Sequence, residues 1–310
     1  MAITVTQANF NGKAAGFYIS AALKASNSLD YLTTLENIKY KMNVQALNQT
    51  VDSVVDATCN FTSVGTLALT EKVLEPRNLQ VNVDLCKGDM LDSWEALQMR
   101  AGAGGNPSAT FEDYVISYMG GIIAEATENS IWNGAGATGD FQGFLNTNGY
   151  LMPTGTNADA TVTQSTASGA YDASNIIANL QTLVTDIAAN APTILGKDDL
   201  YIYMNNKTFS YYVSAISSFT GTPWGSLNTA GDYEPVFEGY RIAICPGMVD
   251  NQLVAAQKSN LYYGTDLLSD ATRITLMDMA ALDGSDNMRL VARYSGGVQS
   301  GVGADIVRQS

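Results

Sequence analysis

Gly134, Gly136 and Gly139, in the stretch IWNGAGATGDFQGFL (131–145), stand in the spacing G-x-G-x-x-G. Glycines so spaced let a backbone approach a dinucleotide pyrophosphate, provided that the motif follows a strand and opens a helix whose amides meet the phosphate. Here the order is reversed. A strong helical period runs up to Trp132 and none follows in DFQGFLNTNGY, so the triplet reads as a structural turn at a helix exit, with Gly134 at the C′ position in a left-handed conformation.

Other groups that do chemistry elsewhere fail on context in the same way. DGSDN (283–287) begins like a calcium loop, but the closing position counted from Asp283 falls on Tyr294 instead of a glutamate. Between two strand-like runs it reads as a hairpin turn. Glu112, Asp113, Glu125 and Glu128 lie on the polar side of the helix ahead of the glycines and read as solvated or interface charges. Lys39, Lys41, Lys72 and Lys87 have no glycine-rich phosphate loop beside them, and are expected to deter edge pairing or to meet acidic neighbours. The aromatic set Tyr201, Tyr203, Phe209, Tyr211 and Tyr212 has strand and helix spacing, which places it in a core with hydroxyls at the boundary.

Composition narrows the function classes further. The chain of 310 residues contains no histidine, which removes Ser-His-Asp, Cys-His and zinc-histidine chemistry. Its three cysteines, Cys59, Cys86 and Cys245, are far apart and never in a C-x-x-C pair, so they read as reduced, mostly buried thiols of a protein made in cytoplasm. Thirty acidic against sixteen basic residues give a net charge of −14, which repels nucleic acid and anionic membranes. No nucleophile, base and electrophile come together, so no enzyme, no cofactor and no metal are expected. No apolar run approaches the ~18 residues of a membrane span.

The elements that position these residues follow from periodicity. Residues 1–34 read as an arm with an apolar patch at Phe17 and Tyr18 that orders by lying on a neighbour; AAGFYISAALKA (14–25) is read as part of it and not as a secretion signal. In IKYKMNVQAL (38–47), Ile38, Tyr40, Met42 and Val44 alternate with polar residues, and in 66–87 Leu79, Val81, Val83 and Leu85 do the same, with Pro76 marking an edge or bend. Together they describe a long ribbon with too few apolar residues for a core of its own. A short helix is expected in 88–101 and a break at GAGGNP. A long helix then spans 108–132, striped by Phe111, Val115, Tyr118, Met119, Ile122 and Ala126. Residues 145–172 read as loop or short exposed strands. Helices are expected at 173–192 and 206–219, strands at 199–205 and in YRIAICPG, QLVAAQKSNLYYGTDL, TRITLMDMA and NMRLVARYSGGVQ. The class is α+β.

In this layout the chain resembles the major capsid proteins of tailed double-stranded DNA bacteriophages, the HK97-like fold. Three stretches carry the resemblance: LTEKVLEPRNLQVNVDLCKGDML with SWEALQM, similar to the returning strand of the family's E-loop; AEATENSIWNGAGATGDFQGFL, similar to the spine helix and the turn after it; and TRITLMDMAALDGSDNMRLVARYSGGVQSGVGADIV, similar to the closing strands. It covers roughly residues 30–308 and implies an N-terminal arm (1–34), an extended ribbon or E-loop (35–87), a peripheral domain with the spine helix (88–144 and 270–310) and an axial α/β domain (145–269).

The resemblance also implies pentamers and hexamers that close into an icosahedral shell around DNA without sequence-specific binding, assembled in host cytoplasm with scaffold, portal and decoration proteins as possible partners. With only some 30 residues ahead of the ribbon, any scaffold is expected to be separate or already cleaved. No motif selects a lysine–asparagine crosslink. Contacts between subunits are expected at Phe17, Tyr18, Lys39, Tyr40, Lys41, Met42, Lys72, Glu75, Arg77, Glu112 and Glu125. The competing readings are an encapsulin-type compartment of the same fold, a β-rich surface or adhesin-like module suggested by the Asn/Thr/Gly-rich middle, and a nucleotide-dependent enzyme resting on the glycine triplet alone.

Overall fold

A computed structural model describes residues 27–49, 56, 57, 59, 67–86, 109–217, 235–266, 274–280 and 284–310. Its strands are β1 (Thr33–Leu35), β2 (Met42–Gln49), β3 (Leu67–Leu74), β4 (Arg77–Cys86), β5 (Thr163–Ser165), β6 (Leu200–Met204), β7 (Val236–Phe237), β8 (Tyr240–Ile244), β9 (Leu253–Gln257), β10 (Leu261–Gly264), β11 (Ile274–Asp278), β12 (Asn287–Ser300) and β13 (Val307–Gln309). Its α-helices are α1 (Ala109–Asn133), α2 (Ile176–Asn190) and α3 (Asn206–Ser217). The short helix expected in 88–101 lies outside the described residues.

Leu200, Ile202 and Met204 point to one face of β6 while Tyr203 points to the other, and β9 splits Leu253 and Ala255 from Val254 and Ala256 in the same way. This period of two lets one six-stranded sheet, ordered β5-β13-β9-β6-β8-β7, serve two cores. On one side α2 lays down Ile176, Leu180, Leu183 and Ile187, all fully buried, at the spacing of a helical stripe. On the other side Val254, Ala256 and Tyr203 meet Ile131 and Trp132 from the end of α1.

The second sheet is built on β12. It takes β4 along all of Asn287–Gly296, β11 over Met288–Ala292 and β10 over Gly297–Ser300, with β1 parallel to β10. The stretch QLVAAQKSNLYYGTDL reads as continuous strand signal but divides into β9 and β10, which belong to different sheets. A 3-10 turn at Lys258–Asn260 makes the switch. Strands β11 and β12, on either side of DGSDN, pair antiparallel, with Gly284 at φ 75°.

Three expectations need correction. Strand β2 starts at Met42 and not at Ile38, because Asn37 takes φ 62° and the amides of Asn37 and Ile38 donate to Asp266 O and Thr265 O. That turn drives Ile38 into the core and leaves Tyr40, its supposed face-mate, 72% exposed. Strand β4 belongs to the β12 sheet, so only β2 and β3 form a separate two-stranded ribbon. And from Asn27 onward the segment expected to lie as an arm on a neighbour packs on its own chain: Ser28 and Leu32 are buried in the body.

Candidate assembly interface

Strands β2 and β3 pair antiparallel from Met42 opposite Leu74 to Gln49 opposite Leu67, so residues directly opposite share a face. Leu74 and Lys72 lie on the face turned to the body. Leu74 is fully buried, and with Ile38 it closes over Gly264, where an added Cβ would stand 2.7 Å from the leucine Cδ2 and 2.9 Å from the isoleucine Cδ1. Val73, Leu69, Glu71, Asn43 and Gln45 take the outer face, where the Glu71 carboxylate accepts from both amide side chains. Leu69 is 56% exposed, and Val73, Met42 and Tyr40 are exposed as well. An isolated two-stranded ribbon is marginal in water, and this one leaves Leu69 and Val73 exposed on its outer face.

The ribbon's charged residues largely find partners within the chain. Lys39 pairs with Asp266 at 2.6 Å, Lys41 with Glu75 at 2.9 Å, and Lys72 with Asp159 at 2.5 Å. The Lys41 ammonium also sits 5.2 Å from the centre of the Tyr40 ring, and its pKa is raised, first by the hydrogen bond to Glu75 and then by that residue's charge. Burial by itself pushes the Asp159 carboxyl up, but hydrogen bonds from Lys72 and Thr161 outweigh it and hold the group below the usual carboxylate range. Arg77, where β4 begins after Pro76, donates through one guanidinium nitrogen to the carbonyls of Gly136 and Asp140.

Those two carbonyls belong to the glycine loop. Two of its amides are engaged within the loop: the Asp140 carboxylate accepts from Ala135 N at 2.8 Å and from Ala137 N at 2.7 Å. A loop whose N–H groups close on its own aspartate, and whose carbonyls face an arginine, offers no cradle to a phosphate. The loop is a turn, as its context indicates, with Gly136 at φ 67° and Gly139 at φ 93°. Gly134, however, is not left-handed. It is glycine because a Cβ there would lie 1.9 Å from Phe141 O and 2.7 Å from Ser130 O, where the returning chain crosses the helix end.

Sequence reasoning misses one side chain outright. Glu128, assigned to the polar side of α1, is fully buried. Its carboxylate accepts from Ser28 N at 3.1 Å, Ser28 Oγ at 2.5 Å and Gly247 N at 3.2 Å, while Trp132 Nε1 donates to the same serine hydroxyl at 2.6 Å. Gly247 has no room for a side chain, since a Cβ would stand 2.2 Å from Glu128 O. Three separate segments thus meet on one carboxylate. Beside it the Cys245 thiol is pushed well up, chiefly by burial; Cys59 and Cys86, expected to be buried like it, are exposed.

Phe17, Tyr18 and Lys87 lie outside the described residues, as does the side chain of Glu112 in α1; Glu125 is half-buried there. In the aromatic set Tyr203 and Tyr212 are buried, donating to Tyr31 O and Val236 O, and the other members are half-buried. Among the described residues no helix is long and apolar enough to cross a membrane, and no group of three or more acidic or cysteine side chains is placed to hold a metal ion.

No protein-family model matches the chain, and no curated protein sequence does. Solved structures do. The capsid chain of a native GTA particle superposes with a TM-score of 0.63 at 16% identity, covering 94% of this chain and 92% of that one. The capsid of Myoviridae phage XM1 gives 0.62 at 9% identity, covering 96% and 95%. A virus-like particle from Pyrococcus furiosus gives 0.50 at 9% identity, covering 92% and 93%. The chain therefore has the mixed α+β fold of phage capsid proteins, as the HK97-like resemblance implies, over nearly its whole length.

Proposed function

We propose that this chain is a major capsid protein: a shell subunit that self-associates as pentamers and hexamers into an icosahedral particle enclosing double-stranded DNA. One observation carries the reading beyond fold. The β2–β3 ribbon has no core of its own and exposes Leu69 and Val73 on its outer face, with Met42 at its root and Tyr40 just ahead of β2 exposed as well, as an arm does that is finished by the next copy. Of the expected contact residues, Tyr40 and Met42 fit this role directly, and Leu69 and Val73 join them. Lys39, Lys41, Lys72, Glu75 and Arg77 act through partners in their own chain by holding the ribbon's root. Phe17, Tyr18, Glu112 and Glu125 remain part of the proposed contact set.

The net charge of −14 suits a wall that should not clamp its own genome. The role is structural, the site of action the virion, and the place of assembly the host cytoplasm, with scaffold, portal and decoration proteins as further partners. Likeness to the virus-like particle favours, as second reading, an encapsulin-type cellular compartment of the same fold, distinguished by what it encloses. Negative-stain microscopy of the purified chain tests the main reading. Capsomers, sheets or shells are expected; a chain that stays monomeric under all assembly conditions, with candidate scaffold proteins supplied, contradicts it. Nuclease-protected DNA in particles made during infection separates the first reading from the second.

A further inference from the structure

Two side chains of β3 bind the root of the ribbon to the body, and the second sits in a built site. Leu74 seated over Gly264 is the first, and a single point of attachment is a pivot. Lys72, one pleat further out on the same face, reaches Asp159 Oδ2 at 2.5 Å and Ser300 Oγ at 3.1 Å. The aspartate is oriented in advance, since its Oδ1 accepts from Thr161 N at 2.9 Å and Thr161 Oγ1 at 2.5 Å. Space for it exists because residue 303 is glycine, where a Cβ would stand 2.1 Å from Asp159 Oδ2. Gln299 Nε2 meanwhile donates to Val73 O at 2.8 Å, fixing the backbone between the two points.

The neighbouring ion pairs do not do this work. Lys41 and Glu75 both belong to the ribbon and its root, so their contact cannot orient it against the body, and the Lys39 side chain is 65% exposed. The Lys72 and Asp159 side chains are only 28% and 14% exposed, which shields their attraction from solvent and salt. Two points separated along a strand fix a direction.

We propose that Lys72 and Asp159 form a positioning latch that sets the angle at which the ribbon leaves the body and, through the ribbon, the angle between neighbouring copies. The second clause rests on the assembly reading; the first does not. With the latch open, Leu74 and the Gln299–Val73 bond still hold the root, and the part of the ribbon beyond them swings. A rigid arm of defined direction gives neighbours a single relative orientation, and a swinging arm gives them a range.

The test measures the angle first, in dilute unassembled protein. Spin labels are placed at Thr70→Cys on β3 and Ala188→Cys on α2, with the exposed Cys59 and Cys86 replaced by serine, and the distance distribution is read by pulsed electron resonance. Wild-type Lys72 and Asp159 should give one narrow peak, and Lys72→Arg should keep it. Lys72→Met and Asp159→Asn should each lose it, with the double variant no broader than either single one. Single variants that retain the narrow peak, or a double variant broader than both, overturn the latch. For the second clause, particles of Lys72→Met should spread over several diameters where the parent chain gives one class; equal, uniform diameters overturn it. Failure of every chain to assemble counts against the assembly reading and against the second clause, while the distance measurement still decides the first.

Discussion

The carboxylate of Glu128 holds both the backbone amide and the hydroxyl of Ser28, residues one hundred positions apart, inside the protein. With Gly247 N as third donor, it ties the start of the described chain, the end of α1 and the loop after β8 into one joint.

Removing that carboxylate strands buried donors. Glu128→Ala leaves the amides of Ser28 and Gly247 unpaired, and hydrogen bonds to a buried charged group contribute roughly 1.5–3 kcal/mol each. A loss of about 3 kcal/mol or more is expected in urea denaturation. Hydrogen exchange should rise first at residues 27–31, the stretch that Ser28 ties to this joint.

Two glycines of one loop should respond differently to alanine. Gly139→Ala meets no atom within 4 Å and bears only the strain of φ 93°, so about 1–2 kcal/mol is expected. Gly134→Ala must displace the carbonyls of Phe141 and Ser130 and should cost clearly more. Denaturation midpoints give the ranking. Neither variant should change nucleotide binding, since the parent loop has none to lose.

Acid should weaken the ribbon's root in a predictable direction. The unfolded chain protonates Asp159 at the ordinary aspartate value and the folded chain at a lower one. The stability contributed by the group is therefore complete above the ordinary value and lost as pH falls through the folded one. Asp159→Asn should destabilise at neutral pH, and the gap from the parent chain should close in acid. A gap independent of pH contradicts the assignment.

Serine at Leu69 or Val73 should leave the stability of the isolated chain within about 0.5 kcal/mol, as exposed sites do. It should nonetheless weaken association, read as a raised threshold concentration in light scattering.

Much of the architecture is legible in the residues. The stripe Ile176, Leu180, Leu183, Ile187 fixes α2, and Pro76 marks the break between β3 and β4, where it cannot donate to a ladder. What escapes is whatever depends on distant chain. An acidic residue on a helix flank reads as solvated, and nothing near Glu128 signals Ser28. The alternation of Ile38 and Tyr40 predicts one face, but a left-handed Asn37 bonded to Asp266 parts them. Gly134 looks like a helix cap, and only the crossing of Phe141 reveals that it is a point of contact.

If a second copy of the chain completes the ribbon, cryo-electron microscopy of assembled particles should show Tyr40, Met42, Leu69 and Val73 buried on the adjoining subunit. Particles in which these side chains stay exposed to solvent, or a chain that never leaves the monomeric state, would rule out that role for the ribbon.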